Sequence, residues 1–267
     1  MSDAFLSYHE TIDAVRDFLE VAFHTILYIR QVYPLGKCHL FEQVRKYGVT
    51  TWQCRNPLVS EYIGKIVSCI REELHKGTVR RVFLAIREDN PEATPLERFV
   101  FDIESLLLQS DLAQDGSDFV PRANGILPGD VEALLRACMI KLNVSTSYLS
   151  PIPPETALTF AVLLEVKDGS APPASKAAKA GSVPAEWIPA DQRDAMEDNG
   201  TGTGRGHTAA RAQSTISPVT GVRLGMFNLD LQVEELAEKF GTDLPDDAAT
   251  DSSGHFPRRD RKGKGRA

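Results

Sequence analysis

The sequence contains no run of about eighteen apolar residues, so no segment has the make-up of a membrane-spanning helix. Its opening stretch, MSDAFLSYHE, lacks the basic and apolar regions of a secretion signal, and a soluble intracellular protein is expected. Cysteine is scarce: Cys38, Cys54, Cys69 and Cys138 stand far apart without a C-x-x-C pair. That spacing argues against a zinc site or a dithiol and for ordinary reduced thiols. Catalytic signatures are missing as well. Neither G-x-S-x-G nor H-E-x-x-H occurs, and the glycines of GTGTGRG at 200–206 have no preceding strand, following helix or Lys-Ser/Thr pair to complete a phosphate loop. His24 stands alone on an apolar helix and reads as a hydrogen-bonded core residue, while Glu72-Glu73 and Asp246-Asp247 read as solvated charge. Neither an enzyme nor a cofactor is expected.

What is present begins with an uneven charge. The formal net charge is −7, yet Arg258 to Arg266 carries +5, which leaves −12 for the remainder. An acidic body makes a poor phosphate-binding surface, so no direct nucleic-acid contact is expected of the folded part. The basic end suits either nuclear import or a solubilising tail.

Helical signals dominate the first half. Ser7 and Glu10 have capping-box spacing, and Ile12, Val15, Leu19, Ala22, Ile26 and Ile29 recur at helical intervals up to a stop at Pro34. Phe18, Val21, Phe23 and Leu27 widen the apolar surface beyond one stripe, as in a helix covered on most sides. A second helix starts with Asn56 as N-cap and Pro57 as first helical residue, and ends at Gly77. Val79 to Ile86 and Leu96 to Ile103 read as a strand hairpin, Asp130 to Leu142 as a third helix, and Thr159 to Val166 as a further strand. Mixed in this order, the elements predict an α+β fold with helices packed on one face of an antiparallel sheet.

From Asp168 to Thr215 the composition turns to Ala, Gly, Ser, Thr and Pro, too poor in apolar anchors to offset its ordering entropy, except at Ala185-Glu186-Trp187-Ile188-Pro189. Ordered structure is expected again over Ile216 to Glu235, where Leu224, Met226, Asn228, Asp230 and Gln232 alternate with Phe227, Leu229, Leu231 and Val233. The residues after about 240 read as a disordered tail.

Three separated blocks carry a resemblance: FLEVAFHTILYIRQVYP at Phe18 to Pro34, LERFVFDI at Leu96 to Ile103, and ALLRACMIKLNV at Ala133 to Val144. In this order they resemble the HORMA-domain family, on the branch of the accessory subunit of the translesion DNA polymerase zeta. The resemblance implies a three-helix layer on an antiparallel sheet, with a C-terminal "safety belt" that wraps over a bound partner segment. It implies a division into a HORMA core at 1–166, a belt with disordered insertions at 167–240 and a tail at 241–267. The implied role is that of a non-catalytic nuclear adaptor, with additional residence in the cytoplasm left open. Its partner would be the catalytic polymerase subunit, and it would also bridge to the C-terminal domain of a Y-family polymerase; the alternative is a spindle-checkpoint or meiotic HORMA adaptor.

Residue by residue, the resemblance places Tyr62 and Trp187 in the pocket for a proline-containing partner motif, with plain core packing as the alternative. Arg136 falls at a position used for HORMA–HORMA dimerisation, with a solvated helix face as the alternative. Ile216, Asp230 and Gln232 fall at the second partner site, where the family pattern has Gln and Tyr in place of Asp230 and Gln232.

Overall fold

The computed structural model describes residues 4–33, 40–90, 92–107, 117–121, 124–167, 190 and 214–240. Helix α1 (Tyr8–Ile29) opens with the expected capping box: the Ser7 hydroxyl accepts from the Glu10 N–H, and the Glu10 carboxylate accepts from the Ser7 N–H. It ends before Pro34, because Arg30 caps it and Gln31 takes a left-handed φ of 53°. Tyr8, Ile12, Val15, Phe18, Leu19, Phe23, Ile26 and Leu27 are all buried, so this is the central helix of the core. Helix α2 (Pro57–His75) starts on the Asn56 cap as the sequence predicts, and helix α3 (Pro128–Val144) starts at its proline, slightly earlier than the apolar spacing suggests.

Strands β1 (Phe41–Lys46) and β2 (Val49–Cys54) form a separate hairpin that the sequence reading passes over. Its two-residue loop, Tyr47-Gly48, has positive φ at both positions (54° and 72°), the hairpin geometry in which both central residues are left-handed. A tyrosine is an unusual first residue there, which hides the turn from a search for Asn-Gly or Asp-Gly.

The main sheet is antiparallel, in the order β5-β3-β4-β7-β6, built from β3 (Val79–Glu88), β4 (Pro95–Ser105), β5 (Leu158–Val166), β6 (Thr215–Leu224) and β7 (Phe227–Glu235). Val82, Leu84 and Ile86 of β3, Phe99, Phe101 and Ile103 of β4, and Leu229, Leu231 and Val233 of β7 are buried beneath the helices. Phe18 and Phe23 of α1 meet Phe101 edge-on at 6.3 and 5.7 Å. The stretch from Ile216 to Glu235 is a hairpin rather than one alternating strand. Gly225 turns at φ 66°, so Leu224 and Met226 are buried around the turn instead of sharing a face with Asp230.

That hairpin docks on β4, while β5 lies at the opposite edge; the chain therefore leaves the sheet at one edge and re-enters it at the other. A buried ionic cluster fixes the docked end. Arg30 donates to both Glu97 oxygens, to one at 2.8 Å, and to the Ser150 carbonyl at 2.9 Å. Lys239 donates to the same carbonyl at 2.7 Å and pairs with Glu97 and Glu235, while the Ser150 N–H donates to Glu235 at 2.9 Å. Burial opposes ionisation of Glu235, but Lys239 and the Ser150 N–H outweigh it and hold the carboxyl below its ordinary range. Two cations and two anions cancel, which lets four charges sit together out of water.

Candidate partner-binding edge

The two edges of the sheet differ in chemistry. Edge strand β6 carries Pro218, which lacks an N–H, and a register shift between Pro218 and Thr220. Both features discourage pairing with a further strand. Its neighbour α3 reaches it through Lys141, which donates to the Thr220 hydroxyl at 3.2 Å.

Edge strand β5 has no proline, and the register shift in its ladder falls on β3, between Val79 and Arg81, opposite the end of β5. Its sequence, LTFAVLLEV, is apolar without a break from Phe160 to Leu164, between Thr159 and Glu165, and every one of its nine residues is half-buried. Among the described residues it pairs only with β3. An apolar run from Phe160 to Leu164, on a strand that among the described residues has one side unpaired, is a template for an added strand.

Helix α2 runs beside this edge and supplies a wall. Tyr62 is 45% exposed, and its ring meets Phe160 of β5 edge-on at 5.7 Å; Leu58, one turn earlier, is 75% exposed. Partial burial raises the Tyr62 phenol above its ordinary pKa, opposed by the nearby Arg87 guanidinium, so the hydroxyl stays a neutral donor and acceptor. The structure thus brings Tyr62 to a strand edge, as an aromatic anchor needs. Trp187 lies outside the described residues. The sequence places Phe160 in a strand but not beside Tyr62, and does not single out Leu58, although the continuous apolar run from Phe160 to Leu164 is a legible sign of a strand with more than one face to cover.

Arg136 lies on α3, half-exposed, and has an intramolecular task. Its Nε donates to the Tyr47 carbonyl at 2.7 Å, and its guanidinium sits 3.4 Å from Glu132 one turn back. A Cβ on Gly48 would lie 3.1–3.3 Å from the guanidinium atoms.

The three residues of the second expected site do come together. Ile216 opposes Glu234, Gln232 opposes Pro218 and Asp230 opposes Gly221, so all three face outward on the β6–β7 hairpin. Ile216 is 57% exposed. The Asp230 carboxylate lies across Gly221, where an added Cβ would fall 2.1 Å from its oxygen. Asp102, opposite Asp230 on β4, has its pKa raised by burial, countered by Arg81 and Arg80 and reinforced by Asp230.

Among the described residues no group of three His, Cys, Asp or Glu side chains converges as a metal site, and no helix is long and apolar enough to cross a membrane. Cys54 and Cys138 are buried free thiols and Cys69 is a partly exposed one; Cys38 lies outside the described residues.

Comparison with known proteins places these features. The model of the HORMA domain matches residues 11–199. The "Mitotic spindle assembly checkpoint protein MAD2B" of Gallus gallus is 34% identical over 182 residues, covering 68% of this chain and 77% of the relative. The Homo sapiens protein of the same name matches with the same identity and coverage. The "DNA polymerase zeta processivity subunit" of Schizosaccharomyces pombe is 35% identical over 168 residues, 63% of this chain and 74% of the relative. Among solved structures, the "Crystal Structure of Mitotic Checkpoint Complex" superposes with a TM-score of 0.58 at 21% identity, over 84% of this chain and 97% of the other. The "Structure of C. elegans HTP-1 bound to HIM-3 closure motif" does so with 0.53 at 14%, over 86% and 92%. These two share the fold. With the three-helix layer, the antiparallel sheet and the family match over most of its length, the chain belongs to the HORMA-domain family.

Proposed function

We propose that this chain is a non-catalytic adaptor of DNA polymerase zeta in translesion synthesis, holding a short extended segment of the catalytic subunit against the free edge of β5. The observation that carries the reading is the edge of β5, which among the described residues pairs only with β3, beside Tyr62 and Leu58. An added strand would satisfy its backbone groups on β5, and its alternate side chains would enter the wall formed by α2. The polymerase assignment draws on the relatives that bear the name of polymerase zeta processivity subunit.

Trapping of that segment under residues 167–240 as a safety belt belongs to the same proposal. It is supported by the placement of β5 and β6 at opposite edges of the sheet. The outward face holding Ile216, Asp230 and Gln232 is proposed as the contact for the C-terminal domain of a Y-family polymerase. Arg136 is proposed to support pairing with a second HORMA domain, and residence is proposed to be nuclear.

A spindle-checkpoint or meiotic adaptor is the competing reading, favoured by the names of the MAD2B relatives. Calorimetry of the full chain with a proline-containing segment of the polymerase catalytic subunit, run beside a checkpoint or meiotic closure segment, separates the two. Preferential binding of the polymerase segment is expected; preference for either other segment would overturn the assignment.

A further inference from the structure

The β5 edge, which among the described residues pairs only with β3, carries two kinds of surface at its Leu158 end. Glu88 opposes Leu158, the Asp89 N–H donates to the Ala157 carbonyl at 2.8 Å, and Glu155 stands just before Ala157, so three exposed acids gather where β5 begins. Glu92, in the turn between β3 and β4, is exposed as well, and Arg87, near enough to Tyr62 to act on its phenol, brings a positive charge against them. Helix α2 leads through Gly77 to Thr78, whose carbonyl accepts from Lys167 at the far end of β5. Its first turns, with the exposed Leu58 and Tyr62, therefore lie toward the acids. An extended segment suits both surfaces when an apolar residue for the wall is followed at once by cations.

The chain itself contains such a segment. Phe256-Pro257-Arg258-Arg259 joins an apolar pair to the basic run 258–266, which holds six cations and one Asp. These residues lie outside the described ones, and the tether that carries them starts at the right place. The Leu236 N–H donates to the Leu96 carbonyl at 2.9 Å, beside Pro95, and Pro95 opposes Arg87 as Glu88 opposes Leu158. The described chain thus ends, at Phe240, on the same end of the sheet as the acids.

Reach and charge agree. Strand β5 lies two strands from β4, roughly 10 Å at the usual spacing. The fifteen residues 241–255 span roughly 20 Å root mean square as a coil, which matches that distance and gives 256–266 a local concentration on the order of 1 mM. Asp243, Asp246, Asp247 and Asp251 give the tether the wrong sign for the acidic end, so the complementary part is the segment after it.

We propose that residues 256–266 of this chain dock on the Leu158 end of its own β5 edge, with Phe256-Pro257 against Tyr62 and Leu58 and with Arg258 and Arg259 over Glu88, Asp89 and Glu155, as an intramolecular competitor of the partner segment. The competition rests on the reading of β5 as the partner edge; the docking does not.

The test is NMR of the full-length ¹⁵N-labelled protein without partner, beside the full-length triple variant Phe256→Ser, Arg258→Glu, Arg259→Glu. The amide signals of Leu58, Tyr62, Leu158 and Phe160 are expected to differ between the two, and a synthetic peptide of residues 254–266 added to the variant should return them saturably to their wild-type positions. Reversing the acids with Asp89→Lys and Glu155→Lys, both at exposed positions, should weaken that peptide about tenfold at low salt. Amide signals unchanged by the tail substitutions, or a peptide response indifferent to the acid reversal, would overturn the docking. A difference that grows with protein concentration would hand the tail to a second copy and overturn the intramolecular form. Calorimetry with the polymerase segment then reads the competition: the tail variant should bind about fivefold more tightly than wild type, as when the tethered tail sits a few times above its own dissociation constant. Equal affinities would overturn the competition, whereas no binding to either form would count against the reading of β5 and leave the docking to the amide signals.

Discussion

The guanidinium of Arg136 closes over the tip of the β1–β2 hairpin, its Nε donating to the carbonyl of Tyr47 at 2.7 Å beside the left-handed Gly48. One side chain of α3 thus pins the turn of a hairpin whose strands pack on α1 through Phe41, Trp52 and Cys54. Arg136→Ala is expected to lower global stability by about 1 kcal/mol, the worth of a partly solvated hydrogen bond. Hydrogen exchange should show the loss concentrated at residues 46–50. Sedimentation of the same variant tests the proposed pairing: an unchanged dimer fraction would leave Arg136 with its intramolecular role alone.

Tyr62 stands exposed at the β5 edge, so Tyr62→Ala should leave the fold intact. Loss of an aromatic anchor should weaken binding of the polymerase segment by about 2 kcal/mol, or roughly thirtyfold. Calorimetry reads the affinity, and thermal unfolding of the free variant confirms that the domain is retained.

The pKa of His24, about 4 in the folded chain against 6.5 for a free imidazole, links stability to pH. Between these values the unfolded chain binds more protons than the folded one. The His24 contribution is therefore complete above about pH 6.5 and is lost as the pH falls toward 4, by about 3 kcal/mol in all. Urea midpoints at pH 7 and pH 5 should differ accordingly, and His24→Phe should flatten that difference.

In the ionic cluster, Lys239→Met would leave Glu97 and Glu235 sharing the one charge of Arg30. Breaking a buried pair from one side should cost about 3 kcal/mol or more. The double variant Lys239→Met with Glu235→Gln restores neutrality and should be less destabilised than Lys239→Met alone. Denaturant titrations of the variants measure this coupling.

Gly221→Ala should destabilise the β6–β7 hairpin, because the new Cβ displaces the Asp230 carboxylate toward Asp102, where burial and like charge already oppose ionisation. About 1 kcal/mol is expected, with partial rescue when Asp230→Asn is added. The double-mutant cycle reads the interaction directly.

The sequence by itself determined the elements whose signals are local. Helix α1 follows from the Ser7–Glu10 cap and an apolar surface too wide for one stripe; α2 follows from Asn56-Pro57 and Gly77; β3, β4 and β7 follow from alternation. The family was legible too, in blocks that coincide with α1, β4 and α3. Only the tertiary structure decided what depends on residues far apart in the chain. The β1–β2 hairpin rests on a Tyr-Gly turn held from α3, and the order β5-β3-β4-β7-β6 puts β5 and β6 at the two edges. Tyr62 stands at the β5 edge because Phe160, about a hundred residues later, packs against it, and Lys239 is buried because Glu97, Glu235 and Arg30 balance its charge. Capping and periodicity act over one or two turns and can be read along the chain; edge exposure and charge compensation arise only once distant segments meet.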